Sequence, residues 1–159
     1  MGDEQAAPIP GSYWVHAHRL LAGPYPTPET LKDLIQSGAE FFIDLTEPDE
    51  CSPYKPLLPD GMWYRQYPIP YQGVPTHEYM RRILNAIDAG IVDRRVVYVH
   101  SQAGRGRTCM VAGCHMVRYG LSGREALKLI ARLRNGDADV LDTEPQRWLV
   151  EQWCERDRR

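Results

Sequence analysis

The chain has 159 residues, 43% of them hydrophobic and 25% charged, and its nineteen basic and twenty-one acidic side chains leave a formal charge of −2. That length argues for one domain, and such a chain buries about 68–70% of its unfolded surface, enough for a core without metal or disulfide staples. Near-neutral charge excludes a strongly basic nucleic-acid binder, no apolar run approaches the ~18 residues a membrane span needs, and the polar start MGDEQAAPIP carries no secretory apolar stretch, so a cytoplasmic location is expected.

Residues 1–12 are rich in Gly, Pro and Ala and read as a flexible lead-in to a single domain over 13–159. Trp14-Val15 and Arg19–Ala22 are short strand candidates before the breaker Gly23-Pro24-Tyr25-Pro26. Thr27 and Pro28 supply an N-cap and a first helical position, Leu31, Leu34 and Ile35 give helical spacing, and Gly38 is a stop. Glu40–Leu45 is a compact apolar run that predicts a buried strand. Residues 46–61, with four prolines and several acids, form a long loop of the kind that often carries function.

Trp63–Tyr67 predicts a further strand, Thr76 opens a helix to about Ala89 with Tyr79, Ile83, Leu84 and Ile87 on one stripe, and Arg95–Val99 is a short β-branched strand. After a Gly-rich loop, an apolar helix runs to about Tyr119 and is closed by Gly120. Ser122 with Glu125 and Thr143 with Gln146 read as capping boxes of two last helices, ending at Gly136 and near Trp153. Alternating strands and helices imply an α/β three-layer sandwich, a mostly parallel central sheet flanked by helices.

The segment that carries chemistry is His100-Ser101-Gln102-Ala103-Gly104-Arg105-Gly106-Arg107-Thr108, between a buried strand and a helix. Gly104 and Gly106 permit a turn tight enough for several N–H groups to face one centre, and the helix N-terminus adds partial positive charge. Arg107 supplies a planar fork that matches two phosphate oxygens. The segment is not a nucleotide P-loop, which requires a lysine, nor a dinucleotide GxGxxG turn, which belongs after a first strand.

This segment resembles the signature HCxxGxxR, followed by Ser or Thr, of the cysteine-based protein tyrosine phosphatases, in their dual-specificity branch, matching at His100, Gly104, Arg107 and Thr108. The order of elements over roughly 13–155 is also similar to that fold. The resemblance implies hydrolysis of phosphomonoesters, on phosphotyrosine or phosphoserine/threonine proteins, through a phosphocysteine, with residues 102–107 holding the phosphate. It implies no metal or organic cofactor, no nucleic acid, and as partners a phosphorylated protein, a small phosphomonoester, or an oxyanion analogue in the loop. His100 would depress the nucleophile's pKa, and Thr108 would steady the thiolate; an ordinary core histidine and a helix-start cap are the alternatives.

Two departures stand out. Ser101 occupies the position of the nucleophilic cysteine, and a hydroxyl stays protonated where a thiol becomes thiolate. Such a chain is expected to bind phosphate and not turn it over. This fits a substrate-trapping form of an active parent whose cysteine was replaced; a natural pseudophosphatase is the alternative. The resemblance also implies an Asp acid about 30 residues before the nucleophile, worth ~10²–10⁴ in rate. Tyr71 stands there, and no Asp or Glu lies between Gly61 and His77. Asp44, Glu47, Asp49 and Glu50 are the candidates from another loop, Asp44 alternatively a structural partner of Arg107 or of a loop N–H. A substrate with a good leaving group would need little protonation.

Arg105 in the variable part of the loop suits a more highly charged substrate, an inositol phosphate or phosphoinositide, or is simply solvated. Gln146 falls where some relatives place the attacking water, its alternative being the capping box. Cys109 and Cys114 read as small core residues; Cys51, on the acidic loop, is placed by the resemblance as a possible disulfide partner for a cysteine at 101.

Overall fold

The computed structural model describes residues 5–136 and 141–155. In chain order it contains β1 (Tyr13–His16), β2 (Leu20–Gly23), α1 (Pro28–Gln36), β3 (Ala39–Asp44), a 3-10 turn at Lys55–Leu57, β4 (Trp63–Gln66), α2 (His77–Val92), β5 (Val96–His100), α3 (Gly106–Arg118), α4 (Gly123–Leu133) and α5 (Glu144–Glu151). The sheet order is β1-β2-β5-β3-β4. Only β1 runs antiparallel to its neighbour; β2, β5, β3 and β4 are parallel.

The inner strands β2, β3 and β5 are largely apolar on both faces, as strands covered by helices on both sides must be. Ala22, Ile43, Val97 and Val99 pack with α2 to α5, whereas Leu21, Phe42 and Tyr98 pack with Leu31 and Leu34 of α1. This alternation makes three layers, with α3 as the central helix of the thicker side. α3 is buried from Gly106 to Met116. Because β5 lies between β2 and β3, the carboxyl ends of the four parallel strands share one edge, and the loops that leave them converge above His100. In open parallel sheets ligand sites form at this edge.

Two sequence expectations need correction. The lead-in is packed, not flexible, from Gln5 onward: Ile9 is buried, Ser12 bonds back to its carbonyl, the Trp14 indole N–H donates to the Ala6 carbonyl, and the His18 N–H donates to the Gln5 side chain. Residues 1–4 of that lead lie outside the described residues. α2 continues about a turn beyond Ala89, because Gly90 lets the helix lie directly against Phe41 and Val97, where a Cβ would come within 2.7 Å of the Phe41 ring. Among the described residues no helix is long and apolar enough to cross a membrane.

Candidate active site

The cradle begins where β5 ends. His100 is the last strand residue and Ser101 the first of the loop, so both are fixed by the central strand of the sheet. The chain then reverses through Gly104, at φ +72, and enters α3 at Gly106. A side chain at Gly104 would lie 2.5 Å from the backbone carbon of Gly23. The loop is seated on the end of β2: the Tyr25 N–H donates to the Gln102 carbonyl at 3.0 Å, and the Tyr98 hydroxyl, from below, to the Pro24 carbonyl.

The start of α3 differs from those of the other helices. α1, α2, α4 and α5 begin at Thr27, Thr76, Ser122 and Thr143, whose hydroxyls each accept a backbone N–H of the first turn. At α3 the capping position is Arg105, and among the described residues no side chain caps the helix. Its first-turn amides have no acceptor within the helix. The helix begins at a cavity of about 410 Å³ lined by Tyr71, Ser101, Gln102, Ala103, Arg105, Gly106, Arg107 and Asp142.

Ser101 is 3% exposed, and its Oγ lies 2.7 Å from Thr108 Oγ1. His100, fully buried below it, does not serve as a base for that hydroxyl. Its Nδ1 faces the Ser101 carbonyl at 3.3 Å, an oxygen that can only accept, so Nδ1 carries the proton. Nε2 is then the acceptor for the Tyr54 hydroxyl at 2.6 Å. Burial lowers the His100 pKa to about 4, which keeps the ring neutral at physiological pH.

Arg107 is buried and clamped. Its Nη1 donates to Glu50 Oε1 at 2.8 Å and to the Ile69 carbonyl at 2.9 Å, and its Nη2 donates to Glu50 Oε2 at 2.6 Å. A guanidinium has five donors. Glu50 and Ile69 take three, and the remaining two, Nε–H and the second Nη2–H, share one edge of the plane. This edge is suited to two oxygens of a phosphate lying over Ser101.

The acidic candidates separate sharply. Glu50 is the partner of Arg107 and its pKa is lowered chiefly by that bond, so it is ionised when a donor must be protonated. Asp44 is buried below the loop, its Oδ1 accepting from the N–H and hydroxyl of Thr46 and its Oδ2 from the Tyr64 hydroxyl. It therefore braces the loop after β3 and holds neither Arg107 nor a position in the cavity. Glu47 and Asp49 are exposed and do not line the cavity.

Tyr71 does line it, with its ring centre 5.8 Å from the Arg107 guanidinium carbon. At α5 only half of the expected capping box forms. Thr143 caps the Gln146 N–H, but the buried Gln146 side chain turns away, accepting from the Asp142 N–H at 3.0 Å and donating to the Gly73 carbonyl at 3.1 Å. Sequence reasoning overlooked Asp142, whose only signal was its position just before a helix cap.

A family model for a polymorphic toxin system DSP-PTPase phosphatase matches residues 20–121, which include the cradle, Glu50, Tyr71 and most of the sheet. The chain belongs to this DSP-PTPase phosphatase family. Two viral relatives are inferred tyrosine phosphatases: 197R of Invertebrate iridescent virus 6, 32% identical over 59% of this chain, and 067L of Invertebrate iridescent virus 3, 28% identical over 83%. The chain covers 37% and 55% of their respective lengths, so it matches a part of each. The crystal structure of Tk-PTP in its active form superposes with a TM-score of 0.80 at 24% identity, covering 91% of this chain and 96% of that one, and so shares the fold. For a DSP-PTPase, the mixed α/β sheet with its loop between β5 and α3 is therefore the family architecture.

Proposed function

We propose that residues 100–108 are the phosphate site of a phosphomonoester hydrolase that works through a phosphocysteine when cysteine stands at 101, and that serine there leaves a form which holds the ester without hydrolysing it. The observation that carries this reading is the assembled but unactivated floor of the cradle. Ser101 Oγ meets Thr108, the neighbouring histidine is held neutral and turned to Tyr54, and Arg107 keeps two donors on one edge.

A hydroxyl of ordinary acidity with no adjacent base is a poor nucleophile toward phosphorus. The same neutral hydroxyl avoids the repulsion between a thiolate and a phosphate dianion, so binding is retained or improved. Arg107 and the uncapped amides of α3 would hold the three equatorial oxygens and take up the charge that develops on them in the transition state.

The test is Ser101→Cys assayed with aryl phosphates, phosphotyrosine and phosphoserine peptides, and inositol phosphates. Turnover in the variant together with tight oxyanion binding in the serine chain supports the reading. Silence toward all substrates, with binding intact, would instead favour a natural phosphate-recognition module, a possibility supported by Tyr71 at the position where a proton donor is expected. A preference for inositol phosphates that disappears with Arg105→Ala would assign the polyanionic substrate class.

A further inference from the structure

We propose that Asp142 is the proton donor to the leaving group, replacing the acid that position 71 lacks; this rests on the phosphatase reading above. A donor must be a titratable group that faces the cavity and is not consumed by another interaction. Among the described residues, Asp142 carries the one carboxylate lining the cavity over Ser101. Glu50 is spent on Arg107 and Asp44 on Thr46 and Tyr64.

The placement of Asp142 is built rather than incidental. Its N–H is held by the side chain of Gln146, which is completely buried and which also grips the Gly73 carbonyl. Residue 142 is thereby tied to the loop that carries Tyr71. Its carboxylate lies over the first turn of α3, close enough that a Cβ added at Gly106 would come within 2.2 Å of Oδ2. The absence of a side chain at 106 is what allows the carboxylate to sit there. Tyr71, Arg105 and Arg107 are the other titratable or charged groups lining the same cavity.

With cysteine at 101, the first step forms the S–P bond and breaks the P–O bond to the leaving group. The electron pair goes to that oxygen as the Asp142 carboxyl delivers its proton. In the second step water attacks phosphorus, the carboxylate takes the water's proton, and the S–P bond breaks to return thiolate and inorganic phosphate.

The experiment compares Ser101→Cys with Ser101→Cys/Asp142→Asn on phenyl phosphate, whose leaving group is a phenol with a pKa of about 10 like tyrosine, and on p-nitrophenyl phosphate, whose phenol is more acidic. Loss of a proton donor lowers kcat/KM on phenyl phosphate by about 100-fold or more and on p-nitrophenyl phosphate by far less. Sulfate affinity, measured in parallel, checks that the cradle remains formed. An unchanged rate, or the same loss on both substrates, overturns the assignment to Asp142 while leaving the phosphatase reading intact. Absence of turnover on both substrates by Ser101→Cys itself overturns the phosphatase reading, and the donor assignment falls with it.

Discussion

Glu50 and Arg107 face each other as a two-pronged ion pair, Nη1 donating to Oε1 at 2.8 Å and Nη2 to Oε2 at 2.6 Å. The pair joins the long loop after β3 to the first turn of α3, 57 residues further along the chain. It explains how a nearly buried arginine can be kept planar and aimed before any ligand arrives.

Removing one member leaves a buried charge without its counter-ion. Glu50→Ala is therefore expected to destabilise the empty protein by roughly 1–3 kcal/mol, read from urea unfolding. Added sulfate or tungstate should recover part of that loss, because the ligand supplies the missing negative charge. A variant with full stability and no response to oxyanion would refute the role given to the pair.

The pH dependence of the same pair has a definite sign. Arg107 lowers the Glu50 pKa in the folded state, so the contribution is complete above the unfolded carboxylate range and disappears as pH falls through the lowered value. Glu50→Gln should flatten this acid limb of the stability curve.

Buried histidines act at higher pH. His100 and His115 are both held by burial at a pKa of about 4, against an unfolded value of 6.5. Between these values the unfolded chain binds protons that the folded chain does not, so stability falls as pH drops from 6.5 toward 4, by up to ~1.4 kcal/mol per pH unit for each ring. His115 has no hydrogen-bond partner on either ring nitrogen among the described residues. His115→Phe is expected to match or exceed the parent at pH 8 and to lose about half of the acid sensitivity over that window. Equal slopes for parent and variant would exclude the histidine as the cause.

Gly104 and Gly120 both have positive φ, but their surroundings differ. A Cβ at 104 would meet the Gly23–Pro24 backbone, whereas at 120 nothing lies within 4 Å. Gly120→Ala should cost about 1–2 kcal/mol from the left-handed backbone alone, and Gly104→Ala distinctly more, with loss of oxyanion binding. Comparable unfolding midpoints for the two variants would contradict the close seating of the loop on β2.

Tyr71 lines the cavity with its ring near the Arg107 guanidinium. Introducing Asp there in the Ser101→Cys background should restore turnover of phenyl phosphate lost in Asp142→Asn, by at least tenfold. No restoration would show that position 71 cannot reach the leaving group.

Much of this arrangement was legible from local pattern. The caps at Thr27, Thr76, Ser122 and Thr143, the β-branched run of β5 and the glycine-bracketed loop are short-range signals, each confined to a few adjacent residues. What escaped was decided by distant neighbours. Glu50 looked like any other acid of its loop until Arg107 was placed beside it, and Asp44 looked available until Tyr64, on the adjacent strand, was seen to bond it. The Gln146 side chain left its local cap for a carbonyl 73 residues away. The lead-in became ordered because Ile9 found a pocket that composition alone does not reveal.

The seating of the loop on the turn after β2 has a further meaning. Tyr25 binds the Gln102 carbonyl, Tyr98 binds Pro24, and Gly104 presses against Gly23. The loop of residues 101–105 is thus an extension of the sheet's own scaffold, and loosening it requires β2 to part from β5. The Tyr25 amide hydrogen, which is bonded to the Gln102 carbonyl, should exchange with deuterated solvent on the slow timescale of that opening, not on the fast one typical of surface turns.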